Sequence, residues 1–393
     1  MTETIYQQTG LSVMVSTPLV QGGAFLDTLT DQFSEYRHEI SADGGYMSAS
    51  MRINLKRSGL EDWFSYGLGR DIKVFNPASR VIWEGFVNKV TISLGGYKVT
   101  RGPLLDLANR VQVAYSPMNN DSDIPVYGNQ AVTAVYDNAL SQSIYGIWHK
   151  ILSAGELKNT VAANLALTYI TENGYPATSQ DLQFGGSEPN ISIDCLGYVN
   201  WLIYPYNDRT NANVNISTKI QLVLAANPNA GIISTNYTKL MANTVQASRW
   251  EDQNRPAVSI INELTSAGNA AGTRHLFGIY ANRQVIYGPI PGELEYQYKL
   301  LDGNEQYLSM SGNEIKPHDV MPGKWLIVND FLSGKTPAVS SGLRFDPRNL
   351  FIERVSYTAP SNLRITGGKT DTLSRKLARW GTQGIGIPIN RPT

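Results

Sequence analysis

The sequence predicts a β-rich α+β protein made of two small antiparallel β-barrel-like domains with helical insertions. Three observations support this. From Met47 to Leu55, apolar residues (Met47, Ala49, Met51, Ile53, Leu55) alternate with polar ones (Ser48, Ser50, Arg52, Asn54), the period of two of a strand with one buried and one wet face. Turn signals then punctuate a meander at Asn76-Pro77-Ala78-Ser79 and at Leu94-Gly95-Gly96-Tyr97; paired glycines accept the positive φ angles of a two-residue hairpin. A second β region with its own hairpin spacing begins near His275, beyond stretches of helical periodicity.

The first domain spans residues 1–117. Leu11 to Thr17 is a candidate strand, followed by the alternating strand from Met47. Gly59 to Phe64 reads as a short helix whose Leu60, Trp63 and Phe64 share one face. That helix sits where it can plug one end of a barrel. Strands are expected at Asp71–Phe75, Arg80–Leu94 and Tyr97–Arg101. Pro103, suited to a first helical turn, opens a second short helix with Leu104, Leu105 and Ala108 inward. Val111, Val113 and Tyr115 return to strand alternation.

Residues 118–186 form a helical connecting region. Pro117 to Pro125 is a polar linker rich in Asn, Asp and Pro. Ala139, Ile144, Ile147, Trp148, Ile151 and Leu152, then Val161, Leu165, Leu167 and Ile170, fit amphipathic helices. Gly155 and Gly174-Tyr175-Pro176 are stop signals.

The second barrel-like domain spans 187–362, with a helical insertion at about 216–271. Ile191 to Tyr204 is buried strand structure ended by Pro205. Thr218 to Ala226 is a short helix stopped by Asn227-Pro228-Asn229. Pro256 opens a helix over Ala257–Ala267, with Val258, Ile261 and Leu264 on one stripe and Gly268 at its end. His275–Tyr280 and Gln284–Tyr287 flank the turn Ala281-Asn282-Arg283. Tyr296, Trp325–Val328 and Leu350–Tyr357 are further strand positions. Residues 363–393 form a basic C-terminal helix (Leu373–Trp380) and an extended tail (Gly384–Pro388).

Composition bounds the function. The 393 residues accommodate two or three domains. Charged residues make up 17% and Lys+Arg balances Asp+Glu at 33 each, below the usual charged share of roughly 25%. A neutral, charge-poor chain repels its own copies weakly and suits a subunit buried in an assembly. It does not suit a general nucleic-acid binder, which needs many unpaired cations. Tyr (21) outnumbers Phe (10), which fits strand faces and interfaces alike. Cys195 is the single cysteine, so an intrachain disulfide and a Cys-based zinc site are excluded; flanked by Ile193 and Leu196, it reads as a buried, inert thiol. The polar N-terminus predicts no signal peptide. No apolar run approaches the roughly 18 residues of a membrane-spanning helix, so no membrane anchor is expected. Synthesis in a cytoplasm follows, and the Asn-x-Ser/Thr triplets at Asn190, Asn215 and Asn236 are then coincidental.

No motif points to chemistry. Gly334-Lys335-Thr336 and Gly368-Lys369-Thr370 resemble phosphate loops but carry Asn329 and Leu363 where the first glycine belongs. His38-Glu39 lacks the second histidine of a zincin helix. His38, His149, His275 and His318 are dispersed in sequence. The doublets Glu61/Asp62 and Glu251/Asp252 point adjacent carboxylates in different directions, a poor acid/base geometry. The expectation is a non-enzymatic protein without cofactors. Arg364, Lys369, Arg375, Lys376 and Arg379 oppose only Asp371 between 362 and 380, a candidate contact patch for nucleic acid or an acidic partner, or a solvated helix face.

The run Gly45-Tyr46-Met47-Ser48-Ala49-Ser50-Met51-Arg52-Ile53, the helix Leu60-Glu61-Asp62-Trp63-Phe64, then Gly69-Arg70-Asp71-Ile72-Lys73-Val74 and Trp83-Glu84-Gly85-Phe86-Val87 resemble the first barrel of phage tail hub proteins. Val258 to Gly268, Leu276 to Pro289 and Pro322-Gly323-Lys324-Trp325 resemble that family's later helix, hairpin and strand entry. Residues 131–175 and the basic tail have no counterpart in the resemblance. It implies a homotrimer of two-barrel subunits forming a pseudo-hexameric ring in a tail tip or baseplate of a virion made in a host bacterial cytoplasm. Such a ring joins the tail tube to the tip, pairs edge strands between subunits and lets genome DNA pass in transit. Its other partners would be tail tube, distal tail and tip or spike proteins. Met47, Met51, Trp63, Phe64, Trp83, Phe86 and Trp325 are the candidate inter-subunit contacts. The alternatives are a hexameric distal tail ring protein and a carbohydrate- or receptor-binding β module.

Overall fold

The computed structural model describes residues 10–30, 32–55, 57–118, 131–182, 189–208, 214–247, 252–290, 294–300, 306–328 and 349–368. Its N-terminal part runs β1 (Ser12–Pro18), β2 (Phe25–Leu29), β3 (Phe33–Ser41), β4 (Gly44–Ile53), α1 (Arg57–Tyr66), β5 (Arg70–Phe75), β6 (Val81–Leu94) and β7 (Tyr97–Arg101). The alternation read from the sequence holds: Ala49, Met51 and Ile53 of β4 are buried, and Ser48, Ser50 and Arg52 are not. It breaks at Met47. Glu39 opposes Ser48 and Ile40 opposes Tyr46, which leaves Met47 as an extra residue. A bulge of this kind resets which face each side chain takes, so Tyr46 is buried beside Met47. Gly95 and Gly96 turn β6 into β7 at φ +56 and +104. At the Asn76 turn, the side-chain Oδ1 accepts from the Arg80 amide at 2.9 Å, the local bond that favours Asn in turns.

A small unit follows: β8 (Arg110–Pro117), β9 (Ala131–Val132), β10 (Tyr136–Asp137), α2 (Ala139–Tyr145), β11 (His149–Leu157) and α3 (Asn159–Asn173). The helical reading of Ile147 to Leu152 is corrected here. Gly146 ends α2 at φ +77, and β11 then runs parallel to β8, with Ile151 opposite Gln112 and Leu152 opposite Val113. Spacing alone fits either element over so short a run; the non-local partner decides. Ala162, Ala166 and Ile170 of α3 sit four residues apart and cover Val111, Val113 and Tyr115.

The remainder comprises β12 (Thr178–Leu182), β13 (Asn190–Leu196), a 3-10 segment (Tyr198–Ile203), β14 (Pro205–Asp208), β15 (Val214–Asn215), α4 (Ile216–Ala225), β16 (Gln246–Ala247), β17 (Asp252–Pro256) and α5 (Ala257–Ala267). It closes with β18 (His275–Tyr280), β19 (Gln284–Pro289), β20 (Leu294–Leu300), β21 (Gln306–Met310), β22 (Asn313–Glu314), β23 (Trp325–Val328), β24 (Asn349–Thr358) and β25 (Asn362–Gly368). Both α4 and α5 lie where the sequence places helices. Asn282 and Arg283 take φ +59 and +58 in the β18–β19 turn.

The protein is β-rich, but among the described residues its sheets are not closed into barrels. The described strands join into a 17-stranded sheet with smaller satellites. The two halves interleave. β13 lies between β4 and β6, antiparallel to both, and β24 pairs with β3. A boundary at residue 187 would thus part β13 from both strands it pairs with. β6 is buried on both faces from Ile82 to Asn88, because α1 and the 3-10 segment after β13 pack on it. The main core gathers there. A smaller core of Tyr296, Val320, Leu326, Ile352 and Val355 underlies β20 to β25.

Candidate assembly surfaces

The seven aromatic and methionine positions separate into two groups. Met51, Trp63, Trp83 and Phe86 are buried in the chain's own core. The Phe86 ring meets Trp201 edge-on at 5.5 Å, and Trp201 lies 4.4 Å from Trp148. Trp63 lies under the Arg70 guanidinium at 4.7 Å, while Arg70 donates to Asp62 at 2.7 Å. These four pack into the scaffold's own core. Met47, Phe64 and Trp325 keep partial exposure. Arg101 fastens the end of α1 by donating to the carbonyls of Phe64 and Ser65 at 3.0 and 2.6 Å. Trp325 packs on Phe351 at 5.3 Å.

Of the basic patch, Arg364 alone is described; Lys369, Arg375, Lys376 and Arg379 lie outside the described residues, as do Gly334-Lys335-Thr336, the expected helix Leu373–Trp380 and the tail. Arg364 is exposed on β25, between Leu363 and Ile365, which pack on the smaller core. It lines a cleft with Arg274 and Arg354, which also holds Glu39, Asp43 and Glu353. Arg354 pairs with Glu39 at 3.1 Å, and Arg274 with Asp43. Arg364 therefore stands among balanced charges.

Sequence reasoning missed three features. The first is a pair of free edges. Among the described residues β2 pairs only with β1 and β12 only with β7. Phe25 and Leu26 of β2 are 63% and 45% exposed, and Leu182 of β12 is 63% exposed. The register of β12 on β7 is unbroken from Thr178 to Leu182. On β2, Val15 opposes Asp27 and Ser16 opposes Phe25, so Leu26 bulges out. An open, regular edge invites another strand, whereas a bulge discourages one. The second feature is a cleft of about 570 Å³ between the β18–β19 hairpin, the start of β6 and residues 318–324.

The third is a set of buried ionisable groups. Glu84 is fully enclosed; Lys73 reaches it at 3.4 Å and Arg283 at 3.9 Å, and the Asn282 amide donates to it. Burial pushes its carboxyl up, against the pull of Lys73. Burial likewise raises Asp71, which accepts from the Tyr198 hydroxyl. His38 lies in the seam between β3 and β24, its ring 5.4 Å from that of Tyr357. Burial first, and His318 second, pull it down to about 3. Cys195 is buried, and burial pushes its thiol up. All are groups whose charge is governed by desolvation, and signals for them are absent from the local sequence.

No family model matches the chain, and no curated protein sequence matches it significantly. Solved structures with an overall likeness include the 43 kDa tail protein of prophage MuSo2 from Shewanella oneidensis, at 7% identity and TM-score 0.40, covering 90% of this chain and 95% of that one. A tail protein from Neisseria meningitidis MC58 aligns at 8% identity and TM-score 0.37, covering 91% and 96%. Prophage tail protein gp18 from Listeria monocytogenes EGD-e aligns at 8% identity and TM-score 0.37, covering 94% and 98%.

Proposed function

We propose that this chain is a structural subunit of a phage tail, the hub of a tail tip or baseplate. In this reading three copies form a pseudo-hexameric ring that joins the tail tube to the tip and lets DNA pass. Its partners are copies of itself and the tail tube, distal tail and tip or spike proteins, in a virion assembled in a bacterial cytoplasm. The observation that carries the reading is β12: a regular strand, exposed at all five positions, whose outer edge has no partner among the described residues. Unpaired amides and carbonyls along such an edge are satisfied when a neighbour's strand adds to it. The resemblance of residues 45–87 to tail hub proteins and the zero net charge agree with a subunit flanked by copies.

The tryptophans 63, 83, 148 and 201 are buried, which withdraws them from the ring-stacking platform a sugar-binding module would use. Negative-stain electron microscopy with mass determination at micromolar concentration tests the proposal. The expected result is a three-fold ring with a central hole. A six-fold ring assigns the chain to the distal tail ring instead. A lone chain that binds glycans in a screen overturns the structural reading.

A further inference from the structure

The 570 Å³ cleft and the bulged edge β2 are complementary in apolar character and in charge. The cleft has an apolar floor that includes Ile82, Leu276, Ile286 and Met321. Its volume falls in the range of pockets that enclose a small-molecule ligand, which leaves room for more than one side chain. Three cations line it: Arg80, Lys239 and Lys324. Arg80 and Lys239 are exposed, and neither has an ion-pair partner among the described residues. The Lys324 ammonium lies 5.6 Å from the Tyr296 ring. Asp319, the one acid lining it among the described residues, already accepts from Asn76 at 2.6 Å. An occupant should therefore be apolar with an adjacent negative charge.

The chain itself carries such a group. Phe25, Leu26 and Asp27 are consecutive and exposed on β2, and the bulge at Leu26 turns this edge away from strand pairing. What it offers is a side-chain knob with a carboxylate beside it. No residue of β2 lines the cleft of its own chain.

We propose that Phe25-Leu26-Asp27 of one copy seats in this cleft of the next, the apolar pair on the floor and Asp27 facing Arg80 and Lys239. The contact is head-to-tail, so each copy gives one surface and receives the other, and repetition closes a ring if the rotation allows. This rests on the assembly reading above and specifies how copies meet.

Sedimentation velocity on the full chain tests it. Phe25→Asp and the double variant Arg80→Glu/Lys239→Glu alter exposed positions. Each should weaken self-association by about tenfold or more, as the loss of an interface anchor does, with an unchanged thermal midpoint. Mixing the two variants is decisive. Each retains one intact surface, so the mixture should give a one-to-one pair that neither forms alone. A mixture that stays unassociated, or wild-type assembly unchanged by Phe25→Asp, overturns the contact and leaves the ring reading standing.

A peptide of residues 21–30 titrated into the wild-type chain probes the contact when no ring forms. Saturable binding weakened by Asp27→Lys in the peptide, and by Lys239→Glu in the protein, supports the contact although the ring reading fails. No saturation by about 1 mM, a binding free energy of roughly −4 kcal/mol, overturns it.

Discussion

The Tyr36 hydroxyl lies 2.9 Å from Nδ1 of His38 in the seam where β3 meets β24. The Tyr357 ring covers the imidazole from β24, and Nε2 has no hydrogen-bond partner among the described residues. A strand from the C-terminal half is thus docked on an N-terminal strand over a histidine that must remain neutral.

That arrangement makes the fold sensitive to acid. In the unfolded chain His38 titrates near 6.5, and in the fold near 3. Between these values the unfolded state binds the extra proton, so stability falls as pH drops below about 6.5 and continues to fall toward 3. The slope from one such group is at most about 1.4 kcal/mol per pH unit. His149, held down to about 4 by burial, acts in the same direction. The raised carboxyls of Asp71 and Glu84 act in the opposite direction, so the test is the difference: between pH 7 and pH 4 the thermal midpoint of His38→Phe should decline less, or rise more, than that of the wild type. An equal change in the variant would refute the assignment to His38.

Glu84 supports a second expectation. Its carboxylate is fully enclosed, with Lys73 as the nearest cation. Without Lys73 the carboxyl keeps Arg283 at 3.9 Å and the Asn282 amide, so the loss should fall below the roughly 3 kcal/mol of a buried pair left with no second cation. Lys73→Met should lower the urea midpoint to that extent, while Lys73→Met with Glu84→Gln should recover much of the loss. Were the double variant as damaged as the single, the pair would not be coupled.

These groups mark the limit of what local pattern conveys. The β4 alternation, the Gly95-Gly96 hairpin and the Pro256-to-Gly268 helix are local signals, and each was legible. β11 was not, because Ile147, Trp148, Ile151 and Leu152 also satisfy a helical spacing and only pairing with β8 decides. β12 reads Thr-Ser-Gln-Asp-Leu, a polar string that becomes a strand by pairing with β7. The insertion of β13 between β4 and β6 is non-local throughout. The candidate contacts divide for a similar reason: a large aromatic serves a core or an interface equally well, and the burial of Trp83 and Phe86 is set by strands distant in sequence.

Gly197 tests that insertion. A Cβ placed there would come within 1.8 Å of the Tyr46 carbonyl oxygen, a backbone atom that a flexible side chain cannot replace by moving aside. β13 would have to lift from β4. Gly197→Ala should cost about 3 kcal/mol, the upper range for overpacking, and lower the denaturant midpoint accordingly. A loss below about 0.5 kcal/mol, typical of neutral surface changes, would mean the two backbones are not in contact.

The outer edge of β12 gives the test closest to the proposed role. Gln180 and Leu182 are exposed on a strand whose other side is paired with β7. Gln180→Lys with Leu182→Lys places charge on that edge, the device by which natural sheets prevent edge-to-edge association. The monomer has little to lose, since exposed substitutions usually stay within about 0.5 kcal/mol. The expected outcome is an unchanged thermal midpoint together with loss of the closed ring in electron micrographs and a shift in solution mass to smaller species. Because Phe25→Asp acts on a different edge, the two variants separate strand addition from knob-and-cleft docking. A ring that survives the β12 variant but not Phe25→Asp would assign closure to the β2 contact alone.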